Sequence, residues 1–281
     1  MIEKVYRKVH LIFCSNLYRL KNRLYKAENI LYWHKSDNFG DAINPLFFQK
    51  LTSRKIIYRT QKKEGVEHFL GIGSILDKAT ASSVVWGSGF ISETSECKAH
   101  PKKVYAVRGP KSRDRLLQQG INCPEIYGDP ALLLPRIYFP KVKKKYKLGV
   151  IPHFTEKDSK LIEKFVLNQR EVIVIDLQVC NPFAVIDKIL QCEKIISSSL
   201  HGIIVSDAYS IPSLWIEVHG DLVGGHFKFF DYFMSVNRTD KEPYKMNNNT
   251  TIDEVTAQFK EYKIQINLDE LLKALPEELQ Q

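Results

Sequence analysis

Several short polar segments of this sequence could do chemistry, and most of them follow an apolar run. Ser197-Ser198-Ser199-Leu200-His201-Gly202 comes directly after Lys194-Ile195-Ile196. Hydroxyls beside the free N–H groups of a helix start suit a phosphate or carboxylate. His201 in the first turn can give or take a proton near neutral pH. The same segment could equally be a helix cap with a histidine packed beneath it. In Arg108-Gly109-Pro110 an arginine comes just after a strand and Pro110 suits a helix start. Its guanidinium is a planar, permanently charged fork matched to carboxylate or phosphate, or a tie between a loop and an aspartate. Lys228, in Gly224-Gly225-His226-Phe227-Lys228-Phe229-Phe230-Asp231-Tyr232, could carry a cation into a cleft or be a surface lysine of a short aromatic helix. In Ser36-Asp37-Asn38-Phe39-Gly40-Asp41, Asp37 and Asn38 could bind sugar hydroxyls, while Asp41 suits capping of the next helix.

These segments need elements to position them. Ile30-Leu31-Tyr32-Trp33 predicts a strand and Ser36 to Asp41 a glycine-containing turn. A helix follows, with Pro45 early and Leu46, Phe47 and Leu51 on its apolar side. Further strands are predicted at Lys55 to Tyr58, Phe69 to Ile72, Val84 to Trp86 and Val104 to Val107. A helix from Pro110 to Gln119 is stopped by Gly120. Pro135 to Lys147 has little periodicity and reads as a linker. A second block follows, with strands at Lys147 to Ile151, Val172 to Ile175, Lys194 to Ile196 and Leu214 to Ile216. Its helices are expected over Asp158 to Leu167, Pro182 to Leu190 and on from His201 through Tyr209. The tail from Thr250 reads as helical, with Asn267 and Glu270 spaced as a capping box.

Alternating strands and helices imply parallel sheets with right-handed crossovers. The expected fold class is therefore α/β, with two facing Rossmann-like domains. The boundaries read as a basic helical segment over 1–28, one domain over 29–140, a second over 146–249 and a helical tail over 250–281. Ligands of such sheets bind beyond the carboxyl ends of the strands. There lie Asn38, Gly73 in Gly71-Ile72-Gly73-Ser74, Ser88 in Trp86-Gly87-Ser88-Gly89, Arg108, Asp129 in Gly128-Asp129-Pro130, His153 and the Ser197 to Gly202 loop. Their distribution over both blocks predicts a single cleft between the domains.

Composition narrows the partners. A hydrophobic fraction of 44% supports a proper core and excludes disorder of the whole chain. A formal net charge of +9 favours anionic partners: phosphate esters, carboxylated sugars, an anionic membrane surface or nucleic acid. The basic residues are scattered, and no helix-turn-helix or RNA-recognition signature accompanies them, which argues against nucleic acid. Five cysteines without a C-x-x-C pair suit a reducing cytoplasm rather than a disulfide framework or zinc ribbon. No histidines pair as H-x-x-x-H, so no metal site is expected. The segment Met1 to Ile30 is basic and amphipathic, and its longest apolar run is too short for a membrane span. It reads either as a helix on anionic lipid or as one packed on the domain.

The ordered set of motifs resembles the polysaccharide pyruvyl transferase family, in particular its short bacterial exopolysaccharide and capsule enzymes. The residues that carry the resemblance run from Trp33-His34-Lys35-Ser36-Asp37-Asn38-Phe39-Gly40-Asp41 through Val85-Trp86-Gly87-Ser88-Gly89-Phe90, Val107-Arg108-Gly109-Pro110, Gly128-Asp129-Pro130 and Ile151-Pro152-His153. They end with Ser199-Leu200-His201-Gly202 and Lys228-Phe229-Phe230-Asp231-Tyr232. The resemblance implies a fold like that of two-domain GT-B glycosyltransferases, with the active site in the interdomain cleft. It implies phosphoenolpyruvate as co-substrate, with no other cofactor, a lipid-linked sugar as acceptor, and a cyclic pyruvate ketal as product. Work on such an acceptor places the enzyme in the cytoplasm, at the inner face of the plasma membrane. Under this resemblance His201 is the acid–base group. Arg108, Lys228, His153, Ser198, Ser199 and Gly202 form the donor side, and His34, Asp37, Asn38, Gly73, Ser88 and Asp129 the acceptor side or cleft wall. Some relatives carry Arg-Leu-His where this chain has Ser199-Leu200-His201. Lys228 or Arg108 is left to supply the missing charge. The competing readings are a glycosyltransferase using a nucleotide sugar and, from charge alone, a nucleic-acid-binding protein.

Overall fold

The computed structural model describes residues 29–32, 38–52, 56–59, 65–178, 181–220 and 222–280. The amphipathic segment expected over 1–28 lies outside them, as do His34 and Asp37. The first block carries strands β1 (Asn29–Tyr32), β2 (Ile56–Arg59), β3 (His68–Leu70), β4 (Ser83–Trp86) and β5 (Lys103–Ala106). Its helices are α1 (Phe39–Thr52), α2 (Pro110–Gln118) and α3 (Leu134–Ile137), with 3-10 turns at Leu76–Lys78 and Pro130–Leu133. The second block has β6 (Tyr146–Ile151), α4 (Lys160–Val166), β7 (Val172–Val174), α5 (Pro182–Leu190), β8 (Cys192–Ser197), α6 (Leu200–Ala208), β9 (Ser213–Glu217), α7 (Phe227–Ser235) and β10 (Tyr244–Lys245). The tail carries α8 (Ile252–Ala257), α9 (Leu268–Lys273) and α10 (Glu277–Gln280).

The strands form two five-stranded sheets, β2-β1-β3-β4-β5 and β10-β9-β8-β6-β7, and their pairings are parallel. Numbered within its own sheet, each has the order 2-1-3-4-5. In such a sheet the chain changes its direction of travel between the first and third strands, leaving a crevice at their carboxyl ends. These switch points are β1/β3 and β6/β8.

The two sheets share a core. Phe39, Phe47, Phe48, Trp86 and Leu132 to Leu134 of the first block belong to one apolar cluster with Ile151, Ile203, Trp215 and Phe233 of the second. Helix α7 lies against α2 of the first block. The tail also returns to the first block, where the Trp86 indole N–H donates to the Leu271 carbonyl at 2.9 Å.

Four local expectations change. Helix α1 begins at Phe39, so Gly40 and Asp41 lie in its first turn rather than in a turn before it. The Asn38 carbonyl accepts from the N–H groups of Asp41 and Ala42. Helix α4 starts at Lys160 because the Ser159 side chain caps it by accepting from the Leu161 N–H at 3.2 Å. The tail is three short helices: at α9 only half of the expected capping box forms, with Asn267 accepting from the Glu270 N–H at 3.1 Å, while the full box is made at α8 by Thr251 and Glu254. The segment read as a linker opens with α3. It is pinned at Tyr138, whose hydroxyl donates to Asp187 and whose carbonyl accepts from Tyr209.

Candidate active site

A pocket of about 250 Å³ opens where the two switch points meet. The first sheet contributes Asn38, Asp41, Gly73, Ser74 and Asp77. The second contributes His153, Phe154, Ser199, His201 and Lys228. Buried Asn44 fixes the first wall. Its side-chain N–H groups donate to the Gly40 and Ile72 carbonyls and its oxygen accepts from the Ile72 N–H, each at 2.8 Å. One amide thus ties α1 to the loop after β3.

His201 stands in the first turn of α6, as the loop-to-helix motif predicts. Its ring lies over Gly40, where a Cβ would meet the imidazole Cε1 at 2.1 Å. A side chain there and the ring could not share that space. The buried His201 Nε2 faces Asp129 Oδ2 at 3.9 Å, and neither atom has a hydrogen-bond partner. The other oxygen of Asp129 accepts from the Ala131 N–H at 3.0 Å and caps the 3-10 turn. Burial, then the positive charges of Arg108 and Lys228, push the His201 pKa down to about 3. Burial lifts Asp129 to about 6, against the opposing pull of its Ala131 bond and of Arg108. At neutral pH the pair is therefore an uncharged imidazole beside a carboxylate.

Lys228 is held in the pocket wall by the aromatic character of α7. Phe229 stacks on Trp215 at 4.7 Å and Phe233 meets it edge-on at 5.4 Å. Lys228 is only 7% exposed, and among the described residues no carboxylate lies within ion-pair distance of it. Burial and then Arg108 lower its pKa to about 8, while Glu156 opposes the fall. His153 is brought down to about 4 by burial and then Lys228. Its backbone N–H donates to Ser198 Oγ at 2.9 Å, and its ring bonds Thr155.

Arg108 has no exposure at all. Its guanidinium pairs with Asp231 at 2.9 Å and donates to Ser74 Oγ and the Phe90 carbonyl, each at 2.6 Å. It stands behind Ser74, itself a pocket residue, and does not line the pocket. Ser88 bonds the Gly73 carbonyl at 2.9 Å, and Ser198 is spent on Glu156 and His153. Gly202 sits where a Cβ would meet Ser197 Oγ at 2.3 Å, so its role in this fold is close packing of α6 on the strand end. Of the residues singled out in the sequence, Asn38, Gly73, His153, Ser199, His201 and Lys228 line the pocket. Asp129, Arg108, Ser88, Ser198 and Gly202 stand behind that wall.

Two residues were missed. Asp231 anchors Arg108 and also accepts from the backbone N–H and hydroxyl of Ser112, at 2.8 and 2.6 Å. Glu156 is buried beside the pocket. Asp231 stood in the Lys228 to Tyr232 motif without a role, and nothing local marks Glu156, since each acts on groups distant in sequence. Among the described residues no His, Cys, Asp and Glu side chains gather as metal ligands, and no helix is long and apolar enough to cross a membrane.

The model of the polysaccharide pyruvyl transferase family matches residues 10–220, which take in both switch points and the His201–Asp129 pair. The chain belongs to the polysaccharide pyruvyl transferase family. It is therefore a transferase at the family level, and the resemblance carried by the motifs is borne out. An uncharacterized protein of Acanthamoeba polyphaga mimivirus is 30% identical over 224 residues, 77% of this chain and 76% of the viral protein. The succinoglycan biosynthesis protein ExoV of Rhizobium meliloti (strain 1021) is 28% identical over 221 residues. That alignment covers 74% of this chain and 65% of ExoV, so the chain spans slightly less than two thirds of ExoV's length. Lys228 lies beyond the stretch matched to the family and enters the site through α7 alone.

Proposed function

We propose that this pyruvyl transferase moves the pyruvyl group of phosphoenolpyruvate onto two hydroxyls of a sugar in a bacterial surface polysaccharide repeat unit, forming a cyclic ketal. The observation that carries this reading is the His201–Asp129 pair, buried and unpartnered, at the edge of a pocket that also holds the Lys228 cation. A buried polar atom without a partner costs free energy, and a pair left in that state suits proton transfer to a bound reactant. The arrangement of the two sheets is read as GT-B-like, with the donor on the second and the acceptor on the first.

The chemistry follows from the protonation states. The Nε2–H tautomer of His201 aims its proton at Asp129 and leaves Nδ1 as the base. A sugar hydroxyl gives its proton to that nitrogen as its oxygen attacks C2 of the enol ester. The methylene carbon gains a proton and becomes a methyl group. The second hydroxyl then closes the ring, and its proton leaves with the departing phosphate. Of the two hydroxyl protons, one ends on carbon and one on phosphate. Lys228, His153 and the start of α6 at Ser199 bind the donor's phosphate and carboxylate. Arg108 adds positive potential from behind Ser74. The donor's negative charges offset Arg108 and Lys228, which raises the His201 pKa and makes it a better proton carrier in the complex. Asn38 and Gly73 face the acceptor.

The acceptor is read as lipid-linked, with the enzyme at the inner face of the plasma membrane. Phosphoenolpyruvate is expected to raise the melting temperature, by about 2.7 kcal/mol of linkage at a hundredfold excess over Kd, and UDP-sugars are not. Mass spectrometry of lipid-linked repeat units incubated with enzyme and phosphoenolpyruvate should show the ketal. Stabilisation by a nucleotide sugar alone would favour a glycosyltransferase instead.

A further inference from the structure

Glu156 is a buried carboxylate, 4% exposed, at the carboxyl-end rim of the second sheet. One of its oxygens accepts from Ser198 Oγ at 2.5 Å, in the loop after β8. The other accepts from the His219 N–H at 3.3 Å, after β9. Its own backbone N–H donates to the His153 carbonyl at 2.8 Å, after β6. Ser198 Oγ in turn accepts from the His153 N–H at 2.9 Å. One residue therefore joins three strand ends, two through its carboxylate and the third through its backbone N–H, and two of these ends hold pocket residues, His153 and Ser199. A carboxylate is a costly thing to bury beside a pocket for anions unless a cation gains from it.

We propose that Glu156 is a positioning residue for the anion-binding half of the pocket: it fixes the His153 turn and the Ser198-Ser199 loop, and its negative charge favours the Lys228 ammonium. The charged and titratable groups around Lys228 support this role. Arg108 from the loop after β5 disfavours the ammonium, and Lys228 in turn disfavours protonation of His153 and His201. Asp231, on the same helix, is spent on Arg108. Glu156 is the group that supports the Lys228 charge. Losing it must shift the Lys228 titration to lower pH, because an ammonium without its counter-charge is less stable. Above the new midpoint the pocket then holds a neutral amine and binds phosphate weakly.

The role in donor binding rests on the phosphoenolpyruvate reading; the Lys228 titration does not. The test follows the 13Cε resonance of Lys228 across pH in the ligand-free protein, with Lys228→Arg identifying the signal. Glu156→Gln is expected to lower the midpoint from near 8, and Glu156→Asp to preserve it. Inorganic phosphate and phosphoenolpyruvate are then titrated at pH 6.5 and pH 8. The Gln variant should lose roughly three- to tenfold in affinity at pH 8 and little at pH 6.5. An unchanged Lys228 midpoint overturns the proposal, as does an equal loss at both pH values, which would mean a purely structural role. If phosphate binds with this pH pattern and phosphoenolpyruvate does not bind, the donor reading fails and the Glu156 role stands. Should Glu156→Gln not fold, Glu156→Asp decides, because a lowered midpoint in a variant that keeps the charge would overturn it.

Discussion

Nε2 of His201 and Oδ2 of Asp129 face each other at 3.9 Å, and neither has a hydrogen-bond partner. The gap is too long for a hydrogen bond and short enough to close with a small movement of the ring. Asp129 is fixed by its cap on the Pro130–Leu133 turn, so the imidazole is the partner that must move. The pair is poised rather than locked.

His201→Asn should lower turnover by roughly a hundredfold or more, with little change in phosphoenolpyruvate affinity. Asp129→Asn keeps the cap oxygen and should lower turnover as well, without loss of fold. Steady-state kinetics beside calorimetric donor titration separates the two parameters. Near-normal turnover in folded His201→Asn would make His201 a packing residue and move the acid–base role to His153.

Arg108 and Asp231 form a fully buried ion pair, and breaking such a pair from one side costs about 3–5 kcal/mol. Arg108→Ala should therefore unfold at markedly lower urea concentration than wild type, and Arg108→Lys should recover only part, because lysine lacks the fork that reaches Asp231, Ser74 and Phe90 together. Lys228→Ala, which breaks no ion pair among the described residues, should weaken donor binding with a smaller loss of stability. Comparable stability of Arg108→Ala and wild type would contradict the buried-pair account.

Acid should destabilise the ligand-free protein in a defined window. His201 and His153 have folded pKa values lowered to about 3 and about 4, from an unfolded value near 6.5. Below about pH 6.5 the unfolded chain binds more protons, so stability present above that value is lost as pH falls towards the folded values. Asp129, raised to about 6, contributes in the opposite sense between about pH 4 and 6 and offsets part of the loss. Urea denaturation from pH 7 to 4.5 should show this slope, and His201→Asn should flatten it. An identical slope in the variant would mean that His201 is not buried in its neutral form.

Gly40→Ala probes the contact between the two blocks. Its Cβ would fall 2.1 Å from His201 Cε1, so the ring must leave its place. Overpacking of this kind costs about 1–3 kcal/mol, and turnover should fall much as in His201→Asn. Retained activity with unchanged His201 chemical shifts would show that the ring is placed otherwise.

Much of this molecule was legible in the sequence. Apolar runs such as Val84 to Trp86 and Lys194 to Ile196 gave strands because a strand covered on both faces needs no polar alternation. Polar and glycine-rich segments at their ends marked the crevice, because parallel strands with crossovers bring those ends to one side. The helix expected from Asp158 starts at Lys160, after its Ser159 cap, because Asp and Ser both suit a cap and only backbone geometry chooses the starting residue. Gly40 read as a turn residue because glycine favours turns; its use as clearance for a ring more than a hundred positions away left no local trace. The roles of Arg108 and Lys228 were equally open, since a cation's type says nothing about its partner. The fold gave Arg108 to Asp231 and turned Lys228 to the pocket. The ordered motifs identified the family, and residue type and periodicity determined the strands and the candidate groups. Which of those groups face the pocket was decided only by packing between distant segments, because burial and pairing are properties of the folded chain.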